Sequence, residues 1–178
     1  MEFKNKVKVI TRNVKYIRFE VKNFQIRLIL PPSHLHKVSE ILETKRGWLK
    51  KQLNLIESIK EKTKKIKTEP KTGYKTLVNQ FIEKYCKKIK KYPKTISYKT
   101  MKNCWGLCSS TGIIKFNEKI KYLTKDLIEY IVCHEVCHLK IHNHSKDFRN
   151  LLNKLYGQEK AKKARSELRL YEYLLLKA

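Results

Sequence analysis

Four of the chain's six histidines lie within eleven consecutive positions, inside the segment "IVCHEVCHLKIHNHSKDF" from Ile131 to Phe148. His134 and His138 are four residues apart in an apolar stretch that predicts a helix. At that spacing both side chains lie on one helical face, with Cβ atoms about 5–6 Å apart. Two imidazole nitrogens can then converge on one zinc ion. The segment therefore predicts a helix that holds part of a metal site.

Glu135 stands directly after the first histidine of this pair. It is rotated by about 100° around the helix from His134, which is too far to join the same two ligands easily. It can, however, reach a water molecule at an open position of the metal. The H-E-x-x-H spacing thus provides two ligands and one base from a single rigid element. We predict that Glu135 is the catalytic base of a zinc hydrolase.

A third ligand is needed, because catalytic zinc usually has three protein ligands. In a straight helix, His142 would lie one turn beyond the metal. His144 follows a predicted helix break at Asn143, where the chain can turn back toward the site. Its separation from His138 equals that between the second and third ligands of H-E-x-x-H-x-x-G-x-x-H, although Ile141 replaces the glycine. We favour His144 over His142 on this geometry.

Four cysteines offer a different metal site. Cys104 and Cys108 are four residues apart, and so are Cys133 and Cys137. Four thiolates are able to form a closed structural zinc site, and Cys104 could instead pair with another cysteine. The second pair lies about 100° behind the two histidines on the helix, a position that also suits buried cysteines in a core. Surface histidines without any metal are a further alternative.

The N-terminal part predicts a small hairpin followed by helices. Apolar and polar residues alternate on both sides of "KNFQ", which is typical of two paired strands. Ser33 is a predicted N-cap for a helical segment that ends near Ile59, and Gly47 is a predicted break within it. The charged stretch from Lys60 to Lys75 predicts a linker. We therefore divide the chain into residues 1–59, a Lys-rich linker at 60–75, and a domain at 76–178.

The part after the linker predicts an α+β domain with a short sheet packed on the H-E-x-x-H helix and on C-terminal helices. Its predicted elements, in order, are a helix over 77–89, a strand from Thr95, a strand from Gly112, a helix from Thr124 or Asp126 to His142, a helix from Ser145 to Gly157, and a last helix over 159–175.

Composition limits the cellular setting and the partners. The 178 residues carry a formal net charge of +26, which attracts polyanions such as nucleic acid. Lysine greatly outnumbers arginine, so the charge favours nonspecific affinity over sequence-specific recognition. No signal-like segment and no run of eighteen apolar residues is present. We expect a cytoplasmic protein without a membrane span.

From Trp105 onward the sequence resembles the YgjP-like family of zinc-dependent hydrolases, a branch of the zincin peptidases. The resemblance rests on "WGLCSSTGIIKFN" and on "DLIEYIVCHEVCHLKIHNHSKDF", which follow the family's blocks in order. It implies a zincin-like fold, zinc held by His134, His138 and His144, and Glu135 as the base. Leu107 and Cys104 depart from the family pattern next to the expected substrate groove.

These observations lead to one main functional hypothesis and two alternatives. The main one is a zinc metallopeptidase, with the strand "GIIKF" pairing with an extended peptide substrate. The first alternative is a nucleotide pyrophosphatase that uses the same metal to cleave a phosphoanhydride. The second is a basic nucleic-acid-associated module with structural zinc. Trp105 is expected in the core or in the cleft wall, and Tyr130 and Arg149 are the nearest candidates for stabilising the transition state.

Overall fold

The computed structural model describes residue 3 and residues 5–176, and has an α+β fold. The contacts within the chain divide it into two compact units, Met1–Lys65 and Ile66–Ala178, each with one three-stranded sheet. Among the described residues, no helix combines the length and the apolar character needed to cross a bilayer. The division of the sequence into domains at 1–59 and 76–178 stays a prediction.

The first unit contains the predicted hairpin and one strand that was not predicted. Its strands are β1 (Val7–Thr11), β2 (Arg18–Lys22) and β3 (Gln25–Leu30). β2 and β3 pair antiparallel, and the two residues between them, Asn23 and Phe24, both have positive φ, as a tight hairpin turn requires. β1 pairs with β3 in parallel, so β3 is the central strand and its apolar residues are buried.

Helices complete this unit. A 3-10 helix (Pro32–Lys37) is followed by α1 (Val38–Thr44) and α2 (Arg46–Thr63). The predicted N-cap at Ser33 is wrong, because the helix begins at Pro32, whose fixed φ suits a first helical position, and Pro31 is the cap residue, two positions before Ser33. The break between the helices falls at Lys45, whereas Gly47 lies inside α2.

The second unit holds the remaining elements. They are α3 (Tyr74–Ile89), β4 (Thr95–Lys99), β5 (Gly106–Cys108), β6 (Ile113–Asn117), a 3-10 helix (Glu118–Tyr122), α4 (Lys125–His138), α5 (Lys146–Tyr156), α6 (Gln158–Tyr171) and a π-helical turn (Glu172–Leu176). Because α2 extends to Thr63 and α3 begins at Tyr74, residues 64–73 connect the two helices, and the linker at 60–75 stays a prediction.

The sheet of the second unit has the order β4-β6-β5. β6 pairs in parallel with β4 and antiparallel with β5, so both of its edges are occupied. The prediction that this strand binds a peptide is therefore wrong. β5 was not predicted as a strand, because its three residues, which include a glycine and a cysteine, are too few to show an alternation of apolar and polar side chains. It nevertheless forms one edge of the sheet.

Candidate metal centre

Helix α4 carries the H-E-x-x-H pair and is fixed in the core of its unit. The Thr124 side chain accepts a hydrogen bond from the backbone N–H of Leu127, which caps the helix start as predicted. One face of the helix is fully or almost fully buried, with the side chains of Leu127, Ile128, Ile131, Val132 and Val136. Tyr130, His134 and His138 follow one another at four-residue steps and therefore lie on one stripe of the helix.

The helix ends at His138, so the predicted extension to His142 is wrong. The backbone N–H groups of Leu139, Lys140 and Ile141 all reach carbonyls of the last turn, which closes the helix tightly. The carbonyl of Ile141 then lies 2.9 Å from Nδ1 of His138. This contact fixes the imidazole of His138 and reverses the chain direction directly after it.

The next turn returns the chain to the site. The side chain of Asn143 accepts a hydrogen bond from the N–H of Ser145, and the Ser145 side chain caps α5 by accepting from the N–H of Phe148. Arg149 donates to the carbonyl of His144 at 3.0 Å. Arg149 therefore supports the backbone of His144, and we assign it no part in stabilising the transition state.

The loop brings the three predicted histidines together. Nε2 of His138 lies 3.2 Å from Nε2 of His134 and 3.2 Å from Nε2 of His144, and the remaining side of the triangle measures 3.1 Å. Among the described residues these three form the only cluster of three or more side chains suited to a metal. His142 lines the neighbouring cleft but lies outside the triangle.

The phenyl ring of Phe148 underlies all three imidazoles. It stacks on His138 with centroids 4.4 Å apart and planes inclined by 25°. It contacts the rings of His134 and His144 edge-on, each at 4.9 Å. Phe148 is 1% exposed, so this platform is part of the core. Sequence spacing does not predict this contact, because Phe148 lies on a different helix from the first two histidines.

The environment of His134 and of His138 favours the neutral form of these two imidazoles. Burial and the charges of the other two imidazoles and of Arg165 lower the pKa of His134 to about 3. Burial also lowers the pKa of His138. With its Nδ1 proton donated to the Ile141 carbonyl, His138 presents the lone pair of Nε2 to the centre of the triangle. Neutral imidazoles are the form that binds a metal ion.

Glu135 lies beside the triangle of histidine nitrogens and against Gly106, the first residue of β5. Its carboxyl group is so close to Gly106 that a Cβ atom at residue 106 would lie 2.6 Å from Cγ and Oε1 of Glu135. Glu135 is 6% exposed, and burial raises its pKa to about 8. The glycine thus leaves the space that the carboxyl group occupies, a relation that the sequence pattern alone does not reveal.

Asn117 fixes the segment that precedes β5. Its side-chain amide donates to the carbonyls of Met101 and Cys104 at 2.7 and 2.8 Å, and its backbone N–H donates to the carbonyl of Trp105. Its amide oxygen accepts from the N–H of Lys119. Asn117 is completely buried, so all of these bonds are shielded from water. They hold the wall of the site in place.

A cleft of about 570 Å³ opens in front of the triangle. Its walls include apolar side chains of Trp105, Leu107 and Leu168, together with Arg165 and Arg169 of α6. Trp105 is almost fully buried and also lines this cleft, so both of the roles expected for it apply. The combination of an apolar cleft with a few convergent polar groups is typical of a ligand site.

The four cysteines do not form a second metal site. Cys133 and Cys137 are buried in the core, as expected for small apolar side chains, whereas Cys104 and Cys108 line the cleft and are partly exposed. All of them are free thiols. In the described part of the chain they belong to no cluster that would hold a metal.

Comparison with known families agrees with this geometry. The family described as YgjP-like, metallopeptidase domain, matches residues 60–171, which is more than half of the chain. The chain belongs to the YgjP-like family. Since metallopeptidases depend on a divalent metal ion, membership implies such an ion, and the YgjP-like match includes the whole histidine cluster.

Two solved structures are similar to this YgjP-like chain. The metallopeptidase zymogen of Pyrococcus abyssi abylysin is 21% identical, with a TM-score of 0.49 over 53% of this chain and 93% of that one. The metallopeptidase zymogen of Methanocaldococcus jannaschii jannalysin is 26% identical, with a TM-score of 0.46 over 59% of this chain and 100% of that one. No curated protein matches. The pyrophosphatase and the structural-zinc alternatives receive no support from these comparisons.

The residues of the YgjP-like site fit a divalent ion. A tetrahedral zinc with metal–nitrogen distances of about 2.0–2.1 Å would separate two ligand nitrogens by about 3.3 Å. The three observed separations of 3.1–3.2 Å come close to this value, and the bond to the Ile141 carbonyl fixes the orientation of the His138 imidazole.

Proposed function

We propose that this protein is a zinc-dependent peptidase in which His134, His138 and His144 hold the ion and Glu135 is the catalytic base. The observation that carries the proposal is the triangle of three Nε2 atoms with a buried carboxyl group beside it, at the edge of an open cleft. Three neutral imidazoles suit zinc and leave its fourth position to water or substrate.

The chemistry assigns a separate task to Glu135. When bound, the ion supplies a Lewis acid that acidifies water and polarises the peptide carbonyl. Glu135 accepts the proton of the attacking water while the new C–O bond forms. It then delivers that proton to the nitrogen as the C–N bond breaks. Burial disfavours the carboxylate that this role needs, and the positive charge of an ion held by the three histidines would favour the carboxylate again.

The edge strand β5 supports a peptide as the substrate. Its outer edge is not paired within the sheet order β4-β6-β5, and Gly106, Leu107 and Cys108 all line the cleft. An extended peptide beside β5 would gain backbone hydrogen bonds next to Glu135. Leu107 is 47% exposed and offers an apolar contact to such a peptide. The proposed substrate position is therefore beside β5, whereas from the sequence we expected it beside the strand "GIIKF".

The setting of this activity is part of the proposal. We place the protein in the cytoplasm, acting on a peptide or protein substrate. The net charge of +26 supports a nonspecific affinity for polyanions, including substrates associated with nucleic acid. Binding to nucleic acid that weakens steeply with salt and is indifferent to sequence would test this part separately from the catalysis.

Metal content and peptide cleavage test the central claim. We expect zinc-loaded protein to hold one ion per chain and to cleave casein or members of a peptide library, with the activity lost to a chelator. Glu135→Gln should keep the ion and lose cleavage. Glu159→Gln, an exposed residue in the first turn of α6, is the matched control and should behave like the wild type.

Two outcomes would reject the proposal. One is cleavage at the wild-type rate by Glu135→Gln. The other is a zinc-loaded protein that hydrolyses nucleoside triphosphates and no peptide.

A further inference from the structure

One wall of the cleft is formed by α6, and this wall is positively charged. Arg165, Leu168 and Arg169 all line the cleft that contains the three histidines. Arg165 and Arg169 are four residues apart, so their side chains lie one turn apart on the same face. Leu168 is buried beside them, which fixes the helix against the core and the two arginines at the opening.

Arg165 is held in a defined position. Its Nε donates a hydrogen bond to the carbonyl of Ala161 at 3.2 Å, and the terminal nitrogens of the guanidinium remain for other partners. The charge of Arg165 lies near His134 and Tyr130. It contributes to the lowering of the pKa of His134. Burial raises the pKa of Tyr130, and the charge of Arg165 opposes this rise. The positive end of the cleft is therefore next to the candidate metal centre.

Arg165 has no carboxylate partner within the described part of the chain, although the carboxylates of Glu135 and Glu172 also line the cleft. None of the ion pairs among residues 5–176 involves Arg165. Glu135, the buried acid of the cleft, has its pKa raised by burial alone, with no lowering contribution from a cation. A guanidinium that is exposed at the opening of the cleft and is paired with no carboxylate of the described residues matches an anionic group on the ligand.

We infer that the α6 wall is a subsite for a carboxylate of the peptide substrate, with Arg165 as its main contact and Arg169 as the second. This inference rests on the proposed peptidase function and names its substrate class. The carboxylate belongs either to an acidic side chain close to the scissile bond or to the C-terminus of the peptide. A guanidinium binds both through the same paired hydrogen bonds.

A different role for Arg165 would leave a different kinetic signature. If the arginine only stabilised the developing oxyanion, its removal would lower kcat equally for charged and neutral peptides. A carboxylate subsite instead makes the loss depend on the charge of the substrate. The comparison of matched peptides therefore decides between the two roles.

The experiment uses two pairs of peptides and zinc-loaded full-length protein. One pair differs by Glu against Gln within the chain, and the other by a free C-terminal carboxylate against an amide. We expect the wild type to favour the acidic member of at least one pair by roughly tenfold in kcat/KM. Arg165→Gln should abolish this preference, because it should lower kcat/KM for the acidic member much more than for the neutral member. Arg169→Gln should reduce it partly.

Further variants separate geometry from charge. Arg165→Lys keeps the charge, loses the planar fork, and should retain only part of the preference. Lys163→Gln removes one charge from the part of α6 that lines a different cavity, and should preserve the preference in full. A wild type that cleaves both members of each pair equally, or an Arg165→Gln variant that loses activity equally on all four peptides, overturns the inference and leaves the peptidase function intact.

Binding provides a readout that does not depend on turnover. Zinc-loaded Glu135→Gln protein should bind the fluorescently labelled acidic peptide roughly tenfold more tightly than its neutral partner, and Arg165→Gln in the same background should equalise the two. If wild-type protein cleaves no peptide and this variant binds none, the proposed function fails and the inference fails with it. Equal binding of acidic and neutral peptides overturns the inference alone.

Discussion

The ring of Phe148 stacks on the imidazole of His138, with centroids 4.4 Å apart and planes inclined by 25°. His138 is thereby held between this ring and the carbonyl of Ile141, which fixes its Nδ1. Contacts of this kind around a ligand restrict the ring to the orientation that the metal needs. Phe148 also touches the other two imidazoles, so one core residue orients the whole set.

Phe148→Ala should weaken both the fold and the metal site. The cavity left in the core should lower the free energy of unfolding by about 3–5 kcal/mol. Loss of the platform should reduce zinc affinity by roughly tenfold, as measured by competition with a chelator. Leu152→Ala is the control, since this buried residue lies one turn further along α5 and is expected to cost stability without a change in affinity. Equal zinc affinities in both variants would contradict the role of Phe148.

The sequence predicted those parts of the site that depend on spacing within one element. The step of four from His134 to His138 fixes two imidazoles on one face of any helix, and this holds whatever surrounds it. His144 was chosen because a broken helix can turn back, and the structure places it with the other two. The predicted extension of α4 to His142 is wrong, because backbone bonds from Leu139, Lys140 and Ile141 close its last turn, and no periodic pattern in the sequence reveals them.

The contacts between distant segments could not be predicted in this way. The closeness of Gly106 to Glu135 joins a strand to a helix, and Arg165 reaches the cleft from a third element. Neither relation produces a periodic pattern along the chain. The parallel pairing of β1 with β3 is of the same kind, because it depends on residues far apart in the sequence.

Gly106→Ala should disable the base without emptying the metal site. The added methyl group would lie 2.6 Å from Cγ of Glu135, so the carboxyl group has to move away. We expect a loss of roughly a hundredfold or more in kcat, with about one zinc per chain retained. Gly47→Ala is the control, because a Cβ there meets nothing within 4 Å and the residue lies inside α2. Wild-type turnover by Gly106→Ala would show that Glu135 tolerates the displacement.

Asn117→Asp should loosen the wall of the cleft. The substitution keeps the shape of the side chain but replaces the donor that serves the carbonyls of Met101 and Cys104 with an oxygen. Two buried acceptors then lose their partner and face a like charge, at a cost of roughly 3 kcal/mol in the free energy of unfolding. Denaturant unfolding measures this loss. Thr100→Val, at an exposed residue of the same segment, should cost much less, and equal losses would show that the bonds of Asn117 contribute little.

Glu135→Gln should stabilise the metal-free protein in a pH-dependent manner. Burial raises the pKa of Glu135 in the folded state from 4.5 to about 8, so between these values the folded protein binds more protons than the unfolded chain. The free energy of unfolding of the wild type therefore falls as the pH rises through this window. Glutamine does not ionise and avoids the loss, which amounts to at most about 5 kcal/mol. Unfolding at pH 5 and pH 8 should show an advantage of Glu135→Gln that grows with pH, and an equal advantage at both would contradict the burial of a charged group.

Replacement of His144 and of His142 should have different effects, although both histidines lie in the same loop. His144 contributes one corner of the nitrogen triangle, whereas His142 lies outside it. His144→Ala removes a ligand, so zinc affinity should fall by more than the roughly hundredfold loss that a supporting contact can cause. Because bound zinc stabilises only the folded protein, the rise in Tm on addition of zinc should disappear in this variant. His142→Ala should retain the full rise, and a result with the two variants reversed would assign the third ligand to His142.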